Sequence, residues 1–304
     1  GLADRERRIP STVTTRFHVG GVTKALTALA VLDLVDRGRL ELHEPVTRYL
    51  PALRGPVGAI TIHQLLTHTD GLPELPDLTS GPSSLLAALQ AARPAFETGQ
   101  SYGSTNTGHA LLALVVEQVA GRPFERYVRE HQLAPAGMTR SFLRTEGVQL
   151  DDVAVGYADN ARPTRPAPDE TSARGSLGLV TTVGDLHRWF DAFIGGRLVS
   201  PRVVRTMLTP YLRTAKPFEQ GYGWLLYDST TARPFRSGPL PLVRRSGRAP
   251  GFEAEVVHDR NAGWIAIVLV NSDVLMRHRA IETVRMVMDR TGTDAKPPPL
   301  IVRR

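Results

Sequence analysis

The chain has 304 residues, the length of one large domain or of two closely packed ones. Hydrophobic residues make up 41% and charged residues 22%, which indicates a globular protein rather than a disordered, collagen-like or coiled-coil one. No apolar run approaches the ~18–20 residues that span a bilayer, and residues 1–10 lack a signal-peptide pattern. There is no cysteine, which excludes a disulfide scaffold, a zinc–thiolate site and a cysteine nucleophile and leaves the cellular compartment open.

Basic residues outnumber acidic ones by 37 to 30, for a formal charge of +7. A nucleic-acid partner would need these charges in one patch, because clustered Lys and Arg release counterions from phosphates. The arginines are instead scattered, so we expect no nucleic-acid partner. Lysine occurs only as Lys24, Lys216 and Lys296. Because lysine is so rare in this chain, we expect Lys24, at the start of a predicted helix, to be present for its chemistry.

Helical periodicity dominates the first half of the chain. Apolar residues recur at helical spacing over Val22–Arg37, and Gly38 is a plausible stop. Three more helices are predicted in this part: Thr61–Leu66, Ser83–Ala92 and Thr107–Val119. Residues 158–175 are polar and contain prolines, which is typical of a surface loop.

The last third changes to a strand pattern. Thr182–Asp185 resembles a capping box, with Asp in place of the usual Glu, that opens a helix over Leu186–Phe193. Three strands and a closing helix are then predicted: Gly221–Tyr227, Phe252–His258, Trp264–Asn271 and, for the helix, Val274–Asp289. This order predicts an α+β fold in which residues 1–55 and 176–304 form a sheet region, residues 56–175 form a mainly helical region, and a cleft lies between them.

The first of three segments suited to acyl transfer is Phe17–Lys24, which leads into the first long helix. Residue 21 and Lys24 share one face of that helix. A nucleophile at position 21 could pass its proton to the lysine while the helix N-terminus stabilises negative charge. Lys24 and the helix are present, but position 21 is a glycine.

The other two segments supply polar groups. Ser104 and Asn106 lie two residues apart on a predicted loop, where the hydroxyl would relay a proton and the carboxamide would orient Lys24 or a substrate amide. A simple turn is the competing interpretation. The third segment precedes a predicted strand. There a backbone N–H after Gly247 would serve as an oxyanion donor along an edge strand, and Arg245 would bind a carboxylate or stand as a solvated surface charge.

These segments resemble motifs of the serine β-lactamase and penicillin-binding-protein superfamily, as do four others in family order: Leu65–Pro73, Ser176–Thr182, Tyr222–Trp224 and Pro250–Phe252. The resemblance covers most of the chain and is greatest to the class C β-lactamase-like esterase and D-peptidase branch. It implies a β-lactamase/transpeptidase-like fold, with an antiparallel sheet flanked by helices. The implied activity is that of a Ser-x-x-Lys hydrolase or acyltransferase, which opens amides, esters or β-lactams through an acyl-serine.

The resemblance also assigns site residues by position. Gly21 stands where the nucleophilic serine belongs, and Lys24 where the general base belongs. Six further residues lie in or beside the motifs that relay protons and bind substrate: Ser104 and Asn106 in the first, and Arg245, Ser246, Gly247 and Arg248 in the second. The backbone N–H groups of Gly21 and Arg248 would form the oxyanion hole. The ligand implied is a small-molecule or peptide-like substrate, with no cofactor; the oligomeric state stays open.

The sequence departs from the family in four ways. Gly21 removes the nucleophile, so ordinary hydrolysis should be nearly abolished. Ser104 replaces the tyrosine usual in this branch, and Arg245 replaces His or Lys but keeps the positive charge. Finally, only Gly1–Phe17 precede the helix, where the family has a pair of strands. Either the sheet lacks two strands or the chain is incomplete.

Three functions are compatible with a glycine at position 21. The first is a serine-hydrolase scaffold silenced at that residue, either by design, to trap a substrate, or by natural divergence, which the changes at Ser104 and Arg245 favour. The second is a pseudoenzyme that binds a ligand without turnover. The third is an acid–base enzyme that uses Lys24 and Ser104 without a covalent intermediate.

Several other residues are predicted to be structural. We expect His68 to be a hydrogen-bonded structural histidine, and His109, Trp189 and Phe190 to pack in the core. The spacing of the nine histidines suggests no metal site.

Overall fold

The computed structural model describes residues 1–78, 81–144, 152–158, 162–164, 175–214, 218–227, 242–261 and 263–272. The predicted closing helix lies outside these residues, as does most of the predicted loop 158–175. Helices within them are α1 (Thr23–Asp36), α2 (Gly55–Ala59), α3 (Ile62–Leu66), α4 (Pro82–Ala91), α5 (Thr107–Ala120), α6 (Phe124–Val128), α7 (Val183–Ile194) and α8 (Pro201–Met207). A 3-10 turn, Gly20–Val22, leads into α1.

The strands are β1 (Leu2–Asp4), β2 (Ile9–Pro10), β3 (Phe17–His18), β4 (Phe142–Leu143), β5 (Gly156–Ala158), β6 (Arg162–Thr164), β7 (Leu179–Thr181), β8 (Leu212–Arg213), β9 (Phe218–Gln220), β10 (Leu225–Tyr227), β11 (Leu242–Ala249), β12 (Phe252–Asp259) and β13 (Ile265–Val270). The main sheet is antiparallel, in the order β13-β12-β11-β10-β9-β8. Strands β3, β7 and β4 form a second sheet, and β1–β2 and β5–β6 are hairpins. Among the described residues, no strand before α1 joins the main sheet. The architecture is α+β, as predicted.

Helix α1 lies at the centre of the molecule. Twelve of its fourteen residues are buried, so it has no solvent face. Its two buried threonines bond to the start of β7 and to the loop before it: Leu179 N donates to Thr23 Oγ1 (3.0 Å), and Thr27 Oγ1 donates to Gly175 O (2.6 Å). These bonds satisfy hydroxyls that would be costly to bury alone. They also fix the loop before β7 against the helix that carries Lys24.

The predicted helices that lie within the described residues are confirmed, with small changes at their ends. Thr61 and Gln64 form a complete capping box at α3, and Gly121 ends α5 in the left-handed conformation, at a φ of 68°. The capping box predicted before α7 is half wrong. Thr182 Oγ1 accepts from Asp185 N (3.0 Å), but the Asp185 carboxylate accepts from Arg140 N and from the Ser141 hydroxyl instead of returning to the cap.

The strand predictions are confirmed for β12 and β13 and corrected elsewhere. The strand predicted over Gly221–Tyr227 begins only at Leu225. It is preceded by a turn in which Gly223, at a φ of 77°, packs on α1; a Cβ on Gly223 would lie 3.0 Å from the Ala25 Cα. The segment with Arg245 precedes β12, as predicted, but it also forms most of β11, which was not predicted as a strand. Its charged residues hide the alternation of buried and exposed positions that the backbone adopts.

Candidate active site

The start of α1 lies directly against β11, and two glycines make this contact possible. Gly20 has a φ of 48°, and a Cβ there would lie 2.1 Å from Arg248 O. A Cβ on Gly247 would lie 2.0 Å from Val19 O. Neither position accepts a side chain, so the strand backbone and the helix start are held together. The N–H groups of residues 21 and 248, the expected oxyanion donors, belong to these two touching segments.

The sequence predicts that Gly247 lies on an edge strand, but its strand, β11, is not an edge strand of the main sheet. Strand β11 lies between β10 and β12. Its pairing with β10 covers only Val243 and Arg244, whereas its pairing with β12 runs the full length. The second half of β11 therefore extends beyond the end of β10 and contacts the start of α1 on that side.

Gly21, unlike these two glycines, has room for a side chain. The φ of Gly21 lies outside the left-handed region. The atoms nearest to a Cβ on Gly21 would be Ser246 O at 3.4 Å and Arg245 Nη2 at 3.6 Å. These are ordinary van der Waals distances. Position 21 therefore accepts a Cβ without strain in the backbone.

Lys24 lies one helical turn after Gly21 and is only 5% exposed. Its Nζ donates a hydrogen bond to Thr105 O at 2.9 Å. Burial and then the charge of Arg245 lower the pKa of Lys24 to about 7, while Glu74 and Asp70 act in the opposite direction. A lysine with this pKa is partly unprotonated at neutral pH and can accept a proton.

Arg245 is buried, at 7% exposure, so its interpretation as a solvated surface charge is wrong. Its Nε donates to Gly21 O at 2.8 Å, and its side chain therefore reaches the helix start from β11. Burial lowers the pKa of Arg245 to about 10. The side chains of Ser246 and Arg248, by contrast, are exposed.

Ser104 and Asn106 lie on the loop before α5, but their contacts differ from the prediction. Both the backbone N–H and the Nδ2 of Asn106 donate to the Glu74 carboxylate, at 2.6 and 2.7 Å. The Asn106 carboxamide therefore does not hold Lys24, which bonds to Thr105 O instead. A carboxylate is a stronger acceptor for the amide than a neutral group would be. Ser104 is exposed, and the Tyr102 hydroxyl, two residues earlier, donates to Gln220 Oε1 at 3.4 Å.

Three residues near the site were missed by the sequence analysis. Glu74 follows the Leu65–Pro73 motif directly, and Tyr102 stands two residues before Ser104, so adjacency to a motif was the available signal. The third, Asp70, lies inside that motif. Its Oδ1 accepts from Leu72 N (2.8 Å), and burial raises the pKa of its carboxyl to about 7.

A pair of stacked histidines lies behind the site. The rings of His68 and His109 are 4.8 Å apart and fully buried, which confirms that His109 packs in the core. The ring nitrogens of both have no hydrogen-bond partner among the described residues, so the hydrogen bond expected for His68 is wrong. Its ring faces another ring rather than a polar group. Burial lowers the pKa of both histidines well below the usual value.

The part of the chain that the structure describes contains no group of three or more His, Asp or Glu side chains placed to hold a metal ion. It also contains no helix whose length and apolar character would let it cross a membrane.

Comparison with known proteins identifies the family. The Beta-lactamase family profile matches residues 1–287. A β-lactamase of Pseudomonas fluorescens is 27% identical over 95% of this chain and 89% of its own length. The next relatives are longer, and the chain spans 54 to 62% of them.

Solved structures agree with that match. The D-alanine carboxypeptidase AmpC of Burkholderia cenocepacia is 26% identical, with a TM-score of 0.80 over 93% of this chain and 87% of its own. The octameric penicillin-binding protein homologue of Pyrococcus abyssi is 27% identical, with a TM-score of 0.81 over 94% and 69%. Fold, motif order and sequence lead to one conclusion: this chain belongs to the β-lactamase family and has its serine-hydrolase scaffold.

Proposed function

We propose that this chain keeps the substrate cleft of a β-lactamase-family acyltransferase but forms no acyl-serine, because residue 21 is glycine. The observation that carries the proposal is the environment of Gly21. A side chain fits there, beside Arg245 and one turn before a buried lysine whose pKa is about 7. The surroundings suit a nucleophile that the residue does not provide.

The cleft that we propose lies between the sheet region, 1–55 and 176–304, and the helical region, 56–175. Lys24 and Arg245 come from the first of these, and Glu74, Ser104 and Asn106 come from the second. The ligand is a small molecule or a peptide-like compound, since the relatives include a β-lactamase and a D-alanine carboxypeptidase. The N–H groups of residues 21 and 248 would bind its carbonyl oxygen, because they lie in the two touching segments.

Gly21→Ser tests this proposal, with Gly21→Ala as the matched control that adds a Cβ but no hydroxyl. Each protein is exposed to a chromogenic cephalosporin and to an activated ester, followed by intact-protein mass spectrometry and turnover assays. We expect an acyl adduct and turnover in Gly21→Ser alone. No adduct in a folded Gly21→Ser protein would contradict the proposal and show that the cleft has diverged.

An acid–base reaction without a covalent intermediate is a second candidate, and the lowered pKa of Lys24 favours it. In this case Lys24 takes a proton from the substrate, and Ser104 is the polar group at the mouth of the site. Lys24→Ala should then abolish turnover while leaving ligand binding measurable. A turnover rate unaffected by Lys24→Ala would eliminate this candidate.

A further inference from the structure

A cluster of buried polar atoms lies between the loop after α3 and the start of α5. Four residues form this cluster: His68 and His109 with both ring nitrogens, Asp70 with Oδ2, and Thr105 with Oγ1. None of these atoms meets a hydrogen-bond partner among the described residues. Buried polar groups without a partner are unfavourable, and native proteins commonly satisfy a group of them with ordered water.

The backbone of His68 adds a second unfavourable feature at the same place. Its φ is 58°, in the left-handed region that residues with a side chain seldom adopt. The ring that this backbone positions is fully buried and stacked on His109. An apolar side chain would fill the same space without unpaired nitrogens. Polar groups kept in an unfavourable arrangement indicate a function.

The cluster adjoins Lys24. The lysine Nζ donates to Thr105 O at 2.9 Å, so one unpaired hydroxyl belongs to the residue that holds the amine. Asp70 Oδ2 lies against the first turn of α5, where it would be 3.0 Å from a Cβ on Gly108. Within the described part of the chain, no ion pair joins Lys24 to Asp70 within 4.0 Å, although each charge acts on the pKa of the other. The amine and the carboxyl are therefore near each other without direct contact.

The cluster can act only through Lys24. His68, Asp70 and His109 are fully buried, so a substrate in the cleft does not touch them. The two imidazole rings are stacked 4.8 Å apart, so their nitrogens do not converge on a metal ion. Burial lowers the pKa of both rings well below the usual value, which leaves them uncharged near neutral pH.

The charged groups around Lys24 and Asp70 are few. Arg245 acts on Lys24 from β11, and Glu74 acts on it from the loop after Asp70. Burial lowers the pKa of Lys24 to about 7 and raises that of Asp70 to about 7. An amine and a carboxyl with such similar pKa values can exchange a proton at little cost.

We propose that the cluster is an internal hydration site, in which ordered water joins the Asp70 carboxyl to the Lys24 amine and the two groups hold one proton between them. Thr105 Oγ1 and the ring nitrogens of His68 and His109 hold the water. The inference rests on the proposed function, because it gives the lysine of the same cleft a group that can take its proton.

The shared proton prepares Lys24 to act as a base. The ammonium Nζ gives a proton to the adjacent water, and that water gives one of its own to Asp70 Oδ2. An ammonium and a carboxylate thereby become a neutral amine and a carboxylic acid, and the water is unchanged. The neutral amine can then take a proton from a substrate. Asp70 is thus a positioning residue that acts through Lys24.

The water is tested in the unchanged protein. Histidine labelled with 13C in the ring gives nine ring signals, and those of His68 and His109 are assigned by their loss in His68→Phe and His109→Phe. We expect a nuclear Overhauser effect from long-lived water on the ring protons of both residues. The indole N–H of Trp189, equally buried but bonded to Gln132 Oε1, is the control and should show none. Rings that receive no signal from water would overturn the proposal.

Thr105→Val tests the link to Lys24, because it removes one hydroxyl and leaves every charge in place. Protein labelled with 13C at the lysine ε carbon gives three lysine signals, and the Lys24 signal is assigned by its loss in Lys24→Met. We expect Thr105→Val to lower the pKa of Lys24 by about half a unit or more, because the ammonium loses water that stabilises it. An unchanged pKa of Lys24 would contradict the proposal.

Asp70→Asn tests the shared proton, with Asp191→Asn as the control, since Asp191 pairs with Arg197 on the surface. In the unchanged protein and in the control, the Lys24 signal should titrate in two steps, because a coupled pair titrates as a unit. In Asp70→Asn it should titrate in one step at lower pH. The same titration in both variants contradicts the shared proton. If Asp70→Asn fails to fold, Thr105→Val and the water measurement decide.

The two proposals fail separately. Acylation of Gly21→Ser, together with histidine rings that receive no signal from water, would remove only the hydration site. Water at the rings with no acylation of Gly21→Ser would keep the hydration site and remove the silenced hydrolase.

Discussion

Lys24 is buried in surroundings far from those of a side chain in water. Burial and Arg245 favour its neutral form, and Glu74 and Asp70 favour its charged form. The balance leaves its pKa near neutral pH, where a small change in a neighbour alters the charge of the amine. Such tuning is a property of functional sites, and here it persists although residue 21 provides no nucleophile.

Glu74→Gln should lower the pKa of Lys24 further. The substitution removes a negative charge that stabilises the ammonium form, so the neutral amine becomes more favourable. The lysine signal in 13C NMR measures this shift directly. Glu130→Gln is the control, since Glu130 binds the surface residues Arg122 and Arg126. An unchanged pKa of Lys24 in Glu74→Gln would show that Glu74 holds only Asn106.

Lys24→Met should stabilise the protein, and by less as the pH rises. The pKa of Lys24 is about 7 in the folded protein against 10.5 for the free side chain. Between pH 7 and pH 10.5, Lys24 is protonated in the unfolded chain but mostly neutral in the folded protein. The stability of the parent protein therefore rises with pH across this window. At pH 7 the variant should unfold with a free energy a few kcal/mol higher. Urea denaturation at pH 7 and pH 10 tests this, and a pH-independent difference would contradict it.

At the scale of elements, the contact between α1 and β11 depends on backbone touching backbone. Gly20 and Gly247 permit it, and the part of β11 beyond the end of β10 contacts the helix start instead of another strand. This contact places Lys24 and Arg245, which are more than 200 residues apart, beside the same glycine. A side chain at Gly247 would separate the two elements.

Gly247→Ala should lower the free energy of unfolding by about 3 kcal/mol, the upper part of the range for overpacking. The cause is a Cβ only 2.0 Å from Val19 O, which a backbone shift must relieve. Gly81→Ala is the matched control, since a Cβ there meets nothing within 4 Å and its φ is −51°. Equal denaturation midpoints for the two variants would show that β11 adjusts without cost.

The sequence predicted the elements that local residue patterns determine. It did not predict the features that depend on tertiary contacts. Periodicity and caps located α1, α3 and α5. Strand β11 was missed because its arginines interrupt the apolar alternation. The burial of Arg245 depends on its contact with the start of α1, which the local sequence does not show. The predicted contact of Asn106 with Lys24 was wrong for the same reason, since its actual partner, Glu74, lies 32 residues away. Motif order indicated where the candidate site lies, and the contacts of its residues depend on the fold.

For the whole molecule, buried histidines should make stability fall in acid. Burial lowers the pKa of His18 to about 4 and that of His68 and His109 well below the usual value. As the pH falls from 6.5 toward 4, these histidines become protonated in the unfolded chain but stay neutral in the folded protein, so the free energy of unfolding falls. Asp70, whose pKa is raised to about 7, and Glu255, whose pKa burial also raises, act in the opposite sense but are two groups against these three.

His109→Phe should make the loss of stability below pH 6.5 less steep. The substitution keeps a ring stacked on His68 and removes one group whose proton uptake favours unfolding. Denaturant unfolding at several pH values between 6.5 and 4.5 gives the slope. Val115→Ala on the same helix is the control, because it lowers stability without removing a titratable group. A His109→Phe slope equal to that of the parent would contradict the assignment.

The enclosure of α1 also has a kinetic consequence. A helix buried on every side exchanges its amide hydrogens only when the surrounding helices and the sheet separate. The amides of Ala28 to Leu32 should therefore exchange through global unfolding alone, while those of an exposed helix such as α4 exchange through local opening. The segment that carries the catalytic-type lysine would then be the last part of the protein to admit water.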